Sequence, residues 1–322
     1  DSEKIAGILE LLGFEKTKNE LEADFVLFNT CAIRENAEER VYGELGRFNQ
    51  FKKRKPNMII GICGCMPQEE KTIITIKKKF PQINIVFGTH NIASLPEYLY
   101  DAIMNQKKVI DVLSVEGDIY ENIPMVREHQ KKAWVNIMYG CDEFCTYCIV
   151  PYTRGKERSR RPQDIINEVE NLAQNGYVEV TLLGQNVNAY GKDFTDLNYT
   201  FSNLLKDLNK TSIKRLRFTT SHPRDLDDAT IEVMALGGNI MPHLHLPVQS
   251  GSNEILKRMN RKYTKEEYLS KINKLKQLIP DISFTTDIIV AFPGETQEQF
   301  LQTIELVKEV EFDGAYTFIY SP

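Results

Sequence analysis

No run in the 322-residue sequence approaches the roughly 18 consecutive apolar residues of a membrane-spanning helix. The opening DSEKIAGILE also lacks the basic start and small-residue cleavage site of a secretion signal. Low-complexity tracts and short repeats are missing too, so a disordered or collagen-like chain is excluded. Positive charge is not in excess: 40 Lys and Arg against 45 Asp and Glu leave a net charge of −5 and a pI near 5.7. There is no global field of the kind that coats nucleic acid, and any such contact has to be local. Cysteine is sparse, with six residues grouped at 31, 63, 65, 141, 145 and 148. That grouping argues against a disulfide framework and for metal or redox chemistry in a reducing compartment. The remaining composition, 42% hydrophobic and 26% charged with 18 Gly and 13 Pro, is that of a globular chain of about two domains. We expect a cytoplasmic protein with no membrane contact.

Apolar periodicity divides the chain in two. Ser2 to Leu12 has helical spacing and stops at Gly13. Strand-like runs follow at DFVLFNT (24–30), NMIIGIC (57–63), INIVFG (83–88) and VIDV (109–112), with helical stretches between them. Strands alternating with helices at this spacing imply parallel pairing through crossovers, hence an α/β, doubly wound sheet with its working edge at the strand C-terminal ends. From about Leu113 to Lys132 the periodicity fails, which sets an N-terminal domain at 1–115, a linker at 116–132 and a second domain at 133–322. The second domain alternates again, with six strands at WVNIMY (134–139), VEVTLL (178–183), RLRFTT (215–220), HLHLPV (243–248), FTTDIIV (284–290) and AYTFIY (315–320). Six βα units predict a partial barrel, open on one side, with its site at the strand C-terminal ends.

Directly after the first of those strands, GCDEFCTYC (140–148) places Cys141, Cys145 and Cys148 on one short loop. Three thiolates reach three irons of a cuboidal cluster and leave the fourth iron open. The alternatives are a zinc site, which wants a fourth ligand nearby, and buried structural cysteines, which rarely come three in eight residues. The CxxxCxxC spacing with Tyr147 before its last cysteine is the radical S-adenosylmethionine (SAM) signature. Beyond it, NTCAIRENAEERVYGELGRF (29–48), GICGCMPQEE (61–70), GCDEFCTYCIVPYTRGKERSR (140–160), LLGQNVNAYG (182–191), TTSHPRDL (219–226) and LHLPVQSGSNEILKRMNRKYT (244–264) resemble the MiaB-type radical SAM methylthiotransferases over nearly the whole chain.

The resemblance implies a radical SAM (β/α)6 partial barrel and a transferase that methylthiolates C2 of N6-isopentenyladenosine at position 37 of the tRNA anticodon loop. The cofactors implied are SAM and two [4Fe-4S] clusters. One cluster sits on Cys141, Cys145 and Cys148 and yields a 5′-deoxyadenosyl radical from SAM. An auxiliary cluster in the N-terminal domain takes Cys31 and Cys65, with its third ligand expected upstream of residue 1. Cys63 reads as a small buried hydrophobe at a strand end rather than a substitute ligand. A small all-β RNA-binding domain, TRAM, is expected beyond the sixth strand, so the sequence reads as a fragment at both ends. The implied partners are tRNA and an electron-donor protein, and the expected state is a monomer.

Arg154, Lys156, Arg158, Arg160 and Arg161 follow the cysteine loop closely. A solvated loop and phosphate contact are both open on composition, and position favours contact with substrate or cofactor, chiefly through Arg154, Arg158 and Arg160. KKRK (52–55) and KKK (77–79) read as solvated helix faces. GQNVN (184–188) and FPGET (292–296) follow strands where a barrel presents cofactor loops. The resemblance makes Gly184, Gln185, Asn186, Tyr147 and Asp287 contacts of SAM. His222, His243, His245 and Gln249 face the same mouth, with His245 and Gln249 the candidates for lining the substrate pocket. Ribosomal-protein aspartate and threonylcarbamoyladenosine-tRNA methylthiotransferases are the alternatives in the same chemistry, but IREN (33–36), YTRGKERSR and SHPRDL read as the isopentenyladenosine enzyme's versions. From another class, a noncatalytic iron–sulfur carrier or RNA-binding scaffold would gain nothing from the SAM loops.

Overall fold

The computed structural model describes residues 1–32, 35–113, 119–121 and 123–321, the side chains of 35–37 excepted. Residues 33 and 34 of the IREN segment and 116–118 and 122 of the expected linker lie outside them. The chain divides into two compact units, one of residues 1–128 with 149–155 and the other of 129–148 with 156–322. The short segment after the cysteine loop thus belongs to the first unit. Among the described residues no helix is long and apolar enough to cross a membrane.

The first unit runs α1 (Ser2–Leu11), β1 (Phe25–Thr30), α2 (Glu35–Arg54), β2 (Ile59–Gly64), α3 (Glu70–Lys79), β3 (Ile85–Phe87), α4 (Leu95–Met104) and β4 (Val109–Asp111). Its strands form one all-parallel sheet in the order β1-β2-β3-β4. Both faces are buried, as parallel sheets require. Ile60 and Ile62 of β2 pack with Leu45 and Phe48 of α2 and Ile76 of α3. The alternate residue Cys63 packs with Ile5 and Ile8 of α1 and Leu95 and Leu99 of α4. KKRK and KKK reach the last turns of α2 and α3, where cations oppose the helix dipole. At the sheet's C-terminal edge Thr30 lies opposite Gly64. Gly64 has φ +97°, and a Cβ there would stand 2.3 Å from the Thr30 carbonyl oxygen, so only glycine lets β2 end against β1.

The second unit contains β5 (Lys132–Asn136), β6 (Met138–Tyr139), β7 (Arg158–Ser159), α6 (Pro162–Gln174), β8 (Glu179–Leu183), α7 (Phe201–Leu208), β9 (Arg215–Phe218), α8 (Asp228–Ala235), β10 (His243–His245), α9 (Asn253–Arg258), α10 (Lys265–Leu278), β11 (Ser283–Val290), α11 (Gln297–Val310) and β12 (Gly314–Ile319), while α5 (Val150–Arg154) belongs to the first. The six expected strands form two parallel three-stranded sheets, β5-β8-β9 and β10-β11-β12, with a parallel bridge from Leu216 to Ile240. The first expected strand splits after Asn136, and its end pairs antiparallel with β7, a two-stranded element that periodicity does not reveal.

Side-chain alternation separates two environments. Val135, Val180, Leu182, Leu216, Phe218, Leu244 and Phe284 pack into one core with residues of α6, α7, α8 and α10 such as Ile165, Leu204, Ile231 and Tyr268. The alternate positions, Trp134, Glu179, Arg217, His245, Thr285 and Asp287, take the opposite face. Thr264 and Thr296 close capping boxes at α10 and α11, and Asp227 caps α8, fixing where each helix leaves its preceding loop. Leu182 is fully buried at the centre of this core. Leu182→Ala is expected to cost about 2–5 kcal/mol, read as a lower urea midpoint with an unchanged slope.

Candidate metal centre at the strand C-terminal ends

The cysteine loop has almost no regular structure, and its shape comes from partners on neighbouring loops. The Gly140 N–H donates to Gln185 Oε1 at 2.7 Å, from the loop after β8. The Thr146 N–H donates to the Met259 carbonyl at 3.1 Å, and Asn260 Nδ2 donates to the carbonyls of Glu143 at 3.2 Å and Phe144 at 2.9 Å. Within the loop, the Cys148 N–H closes on the Cys145 carbonyl at 2.9 Å. Cys141 and Cys145 are buried and Cys148 is half-exposed. Burial pushes the Cys141 thiol up to about 12, and the neighbouring Glu157, Cys148 and Cys145 act in the same direction. A thiol raised in this way gives up its proton to a bound metal ion more readily than to water.

Behind the loop lies a buried polar cluster. Glu143, between the first two cysteines, accepts from Arg224, which also grips Asp225. Asp225 further accepts from Lys192 and, at 2.6 Å, from Asn186 Nδ2. Burial alone would raise the Asp225 carboxyl, but the Lys192 and Asn186 donors prevail and hold it at about 2. Burial, aided by the Arg261, Arg224 and Lys192 cations, keeps His222 far below the usual imidazole range and therefore neutral. Glu143, His222 and Asp225 offer ligand-type atoms within 4.8 Å of one another, yet Arg224 and Lys192 already balance the carboxylates. The cluster clamps the loops after β8 and β9 to the cysteine loop.

The backbone carries a further mark. Six of the eight non-glycine residues with left-handed φ among the described residues are Phe144, Thr220, Gln249, Asn260, Lys262 and Ala291, all in the cysteine loop or in loops beyond β9, β10 and β11. Such conformations cost of order 1–3 kcal/mol each and persist where the surroundings over-determine them, which is typical of functional sites.

Other expected residues fall as follows. His245 and Asp287 come together, with Nε2 to Oδ2 at 3.5 Å, while His245 Nδ1 meets Thr285 Oγ1 at 2.9 Å. The buried Gln249 joins them through its backbone, its N–H donating to the Asp287 carbonyl at 2.8 Å, and its side-chain oxygen has no partner among the described residues. Tyr147 packs against Ile255, Met259 and Phe292. Gly184 leaves no room for a Cβ, which would stand 2.6 Å from Met138 Cγ, so it seats the strand that leads into the cysteine loop. His243 lies beside Thr285 at 3.4 Å. Arg158 stands in β7 opposite Tyr139.

Two arginines differ from expectation. Arg160, expected to meet substrate, is buried and donates to the Asn136 carbonyl at 2.7 Å and to Glu168 at 2.8 Å, so it braces the middle of α6 against β5. Arg154 lies in the first unit, where it pairs with Asp1 at 2.8 Å. Sequence reasoning missed Glu143, Arg224, Asp225 and Arg261. Glu143 reads as a spacer between cysteines, and the others are ordinary surface-type residues until the fold buries them.

In the first unit Cys31 and Cys65 follow the adjacent strand ends, and the Cys65 N–H donates to the Thr30 carbonyl at 2.9 Å. Cys31 is exposed, and Cys65 is buried among Ala32, Met66, Val41, Tyr42 and Ile149. Cys63 points into the opposite core, where burial pushes its thiol up to about 12.

A model of the Radical SAM superfamily matches residues 135–307, the span holding the cysteine loop and the strands around it. The chain belongs to the radical SAM superfamily. A second model, described as uncharacterized protein family UPF0004, matches residues 1–88. Over all 322 residues this radical SAM chain is 61% identical to the tRNA-2-methylthio-N(6)-dimethylallyladenosine synthase of Geobacillus kaustophilus and spans 61% of that protein's length. It is 60% identical to the enzyme of the same name from Bacillus subtilis, of which it spans 63%. Among solved structures it is similar to the radical SAM methyltransferase TsrM of Kitasatospora setae, solved with tryptophan and a SAM analogue. The TM-score is 0.69 at 14% identity, covering 98% of this chain and 64% of TsrM, a likeness of fold.

Asp225 tests the clamp. Asp225→Asn removes the carboxylate that Lys192 meets and one of the two that Arg224 meets, Glu143 remaining, and is expected to lower stability by about 2–3 kcal/mol at neutral pH. Because the folded carboxyl sits at about 2, below its ordinary 3.8, its contribution is complete above pH 3.8 and fades as pH falls toward 2. Urea midpoints of parent and variant should therefore converge over that acid window.

Proposed function

We propose that the protein methylthiolates C2 of N6-isopentenyladenosine, also called dimethylallyladenosine, at position 37 of the tRNA anticodon loop, by radical SAM chemistry with two [4Fe-4S] clusters. The observation that carries this reading is the 61% identity across the whole chain to a curated synthase of that reaction. The chain spans about three fifths of such relatives, so the activity belongs to the whole protein.

The donor sets suit the cofactors. Cys141, Cys145 and Cys148 would hold one cluster with an iron left open, because three thiolates serve three irons. A cluster held there would supply one-electron reduction of SAM, whose carbon–sulfur bond then divides into methionine and a 5′-deoxyadenosyl radical able to take the C2 hydrogen. The rest falls to this chain's residues. Gln185 fixes the start of the cysteine loop through Gly140, and Asn186 is held by Asp225 beside it. Tyr147, Gly184 and Asp287 complete the cofactor surroundings, and His245 and Gln249, coupled to Asp287, would line the substrate side. Apolar walls such as Ile255, Met259 and Phe292 keep water from the reacting atoms.

Cys31 and Cys65 would give two ligands of the auxiliary cluster. Arg158, beside the cysteine loop, would meet tRNA phosphates. An electron-donor protein would serve as reductant, and we place the protein in the cytoplasm as a monomer.

Cys145→Ala in the reconstituted full-length enzyme is expected to abolish both 5′-deoxyadenosine release and methylthiolation of tRNA, measured by chromatography with mass detection. Normal 5′-deoxyadenosine production by that variant would refute the assignment of this loop.

A further inference from the structure

Arg261 is almost completely buried, at 5% relative exposure, directly against the cysteine loop. Its Nε donates to the Tyr263 hydroxyl at 3.1 Å, Nη2 to the Pro247 carbonyl at 3.0 Å, and Nη1 to Cys145 Sγ at 3.5 Å. The guanidinium carbon also stands 5.2 Å from the Tyr263 ring centroid. No carboxylate pairs with it among the described residues, although most other buried or half-buried arginines of the second unit have one: Arg160 has Glu168, Arg224 has Glu143 and Asp225, and Arg217 has Glu179.

A guanidinium out of water without a negative partner costs several kcal/mol. The chain nonetheless goes to some length to put it there. The residues on either side, Asn260 and Lys262, both have left-handed φ, and Asn260 is tied to the carbonyls of Glu143 and Phe144. The missing anion has one available source at this spot, the cysteine sulfur that Nη1 already faces.

We propose that Arg261 is a positioning residue that serves as counter-ion and N–H···S donor to the Cys145 thiolate once the loop holds its iron–sulfur cluster, raising that cluster's reduction potential. The inference rests on the reading that the loop binds such a cluster. A positive charge and a directed hydrogen bond at a ligating sulfur favour the reduced state, which carries one more negative charge than the oxidised one. The electron comes from an external one-electron reductant, no bond is made or broken at Arg261, and its proton stays in place.

The test is a redox titration of the reconstituted full-length protein with dithionite, following the electron paramagnetic resonance signal that changes on addition of SAM. That signal has to be present in the parent and lost in Cys145→Ala, and its absence from the parent would refute the cluster reading itself. Given the signal, Arg261→Gln is expected to raise the oxidised-to-reduced ratio at fixed potential about tenfold, a midpoint lower by about 59 mV for one electron, with iron per chain as in the parent. Arg261→Lys, which keeps the charge but loses the fork, is expected to fall between the two. An unchanged midpoint in Arg261→Gln at equal iron content would overturn the proposal, because a merely structural arginine would alter stability or loading and leave the potential alone. Should the glutamine variant fail to fold, the lysine variant decides alone: a lower midpoint supports the proposal and the parent's midpoint overturns it.

Discussion

Everything proposed for this chain depends on holding an irregular nine-residue loop rigid enough for three thiols to act as one ligand set. A loop with no ladder or helix of its own gets its shape from outside. Here the partners arrive from three directions: Gln185 on Gly140 from beyond β8, Arg224 on Glu143 from beyond β9, and Met259, Asn260 and Arg261 from the end of α9. Most of these bonds are at least partly shielded from water, so losing one partner leaves the other group short of a replacement. The left-handed residues around the mouth belong to the same arrangement, since the loops that deliver these donors turn more sharply than relaxed backbone allows.

The parallel strands make that convergence available. Their register carries successive C-terminal ends to one side, while the apolar alternates fasten the strands to helices and leave the other face to Glu179, Arg217, His245, Thr285 and Asp287. The first unit uses the same device on a smaller scale. Thr30 against Gly64 brings Cys31 and Cys65 to adjacent strand ends; the pleat sends Cys63 to the face opposite Ile60 and Ile62, into apolar packing, and the left-handed Gly64 breaks the alternation before Cys65. Neighbouring cysteines in one motif thereby acquire different chemical surroundings.

The strands and helices were legible because apolar period and length are local properties, and all ten expected strands lie within a few residues of those observed. The cysteine loop was legible because spacing alone restricts what three thiols can bind. The β6–β7 pair was not, because its two short strands have no alternation to read and join residues about twenty apart. Arg160 is hidden for a related reason: a cation in a basic run looks solvent-facing until Glu168, in the second turn of α6, is seen to lie against it. Arg261 and Asp225 show the same limit. Their roles depend on burial and on partners far along the chain, which one sequence does not display.

The most direct measurement is mass spectrometry of tRNA nucleosides from cells lacking this gene and from cells given back the full-length gene. The account predicts that 2-methylthio-N6-isopentenyladenosine disappears, its unmodified precursor accumulates, and both return to normal on restoration. An unchanged level of that nucleoside in the deleted cells would contradict it.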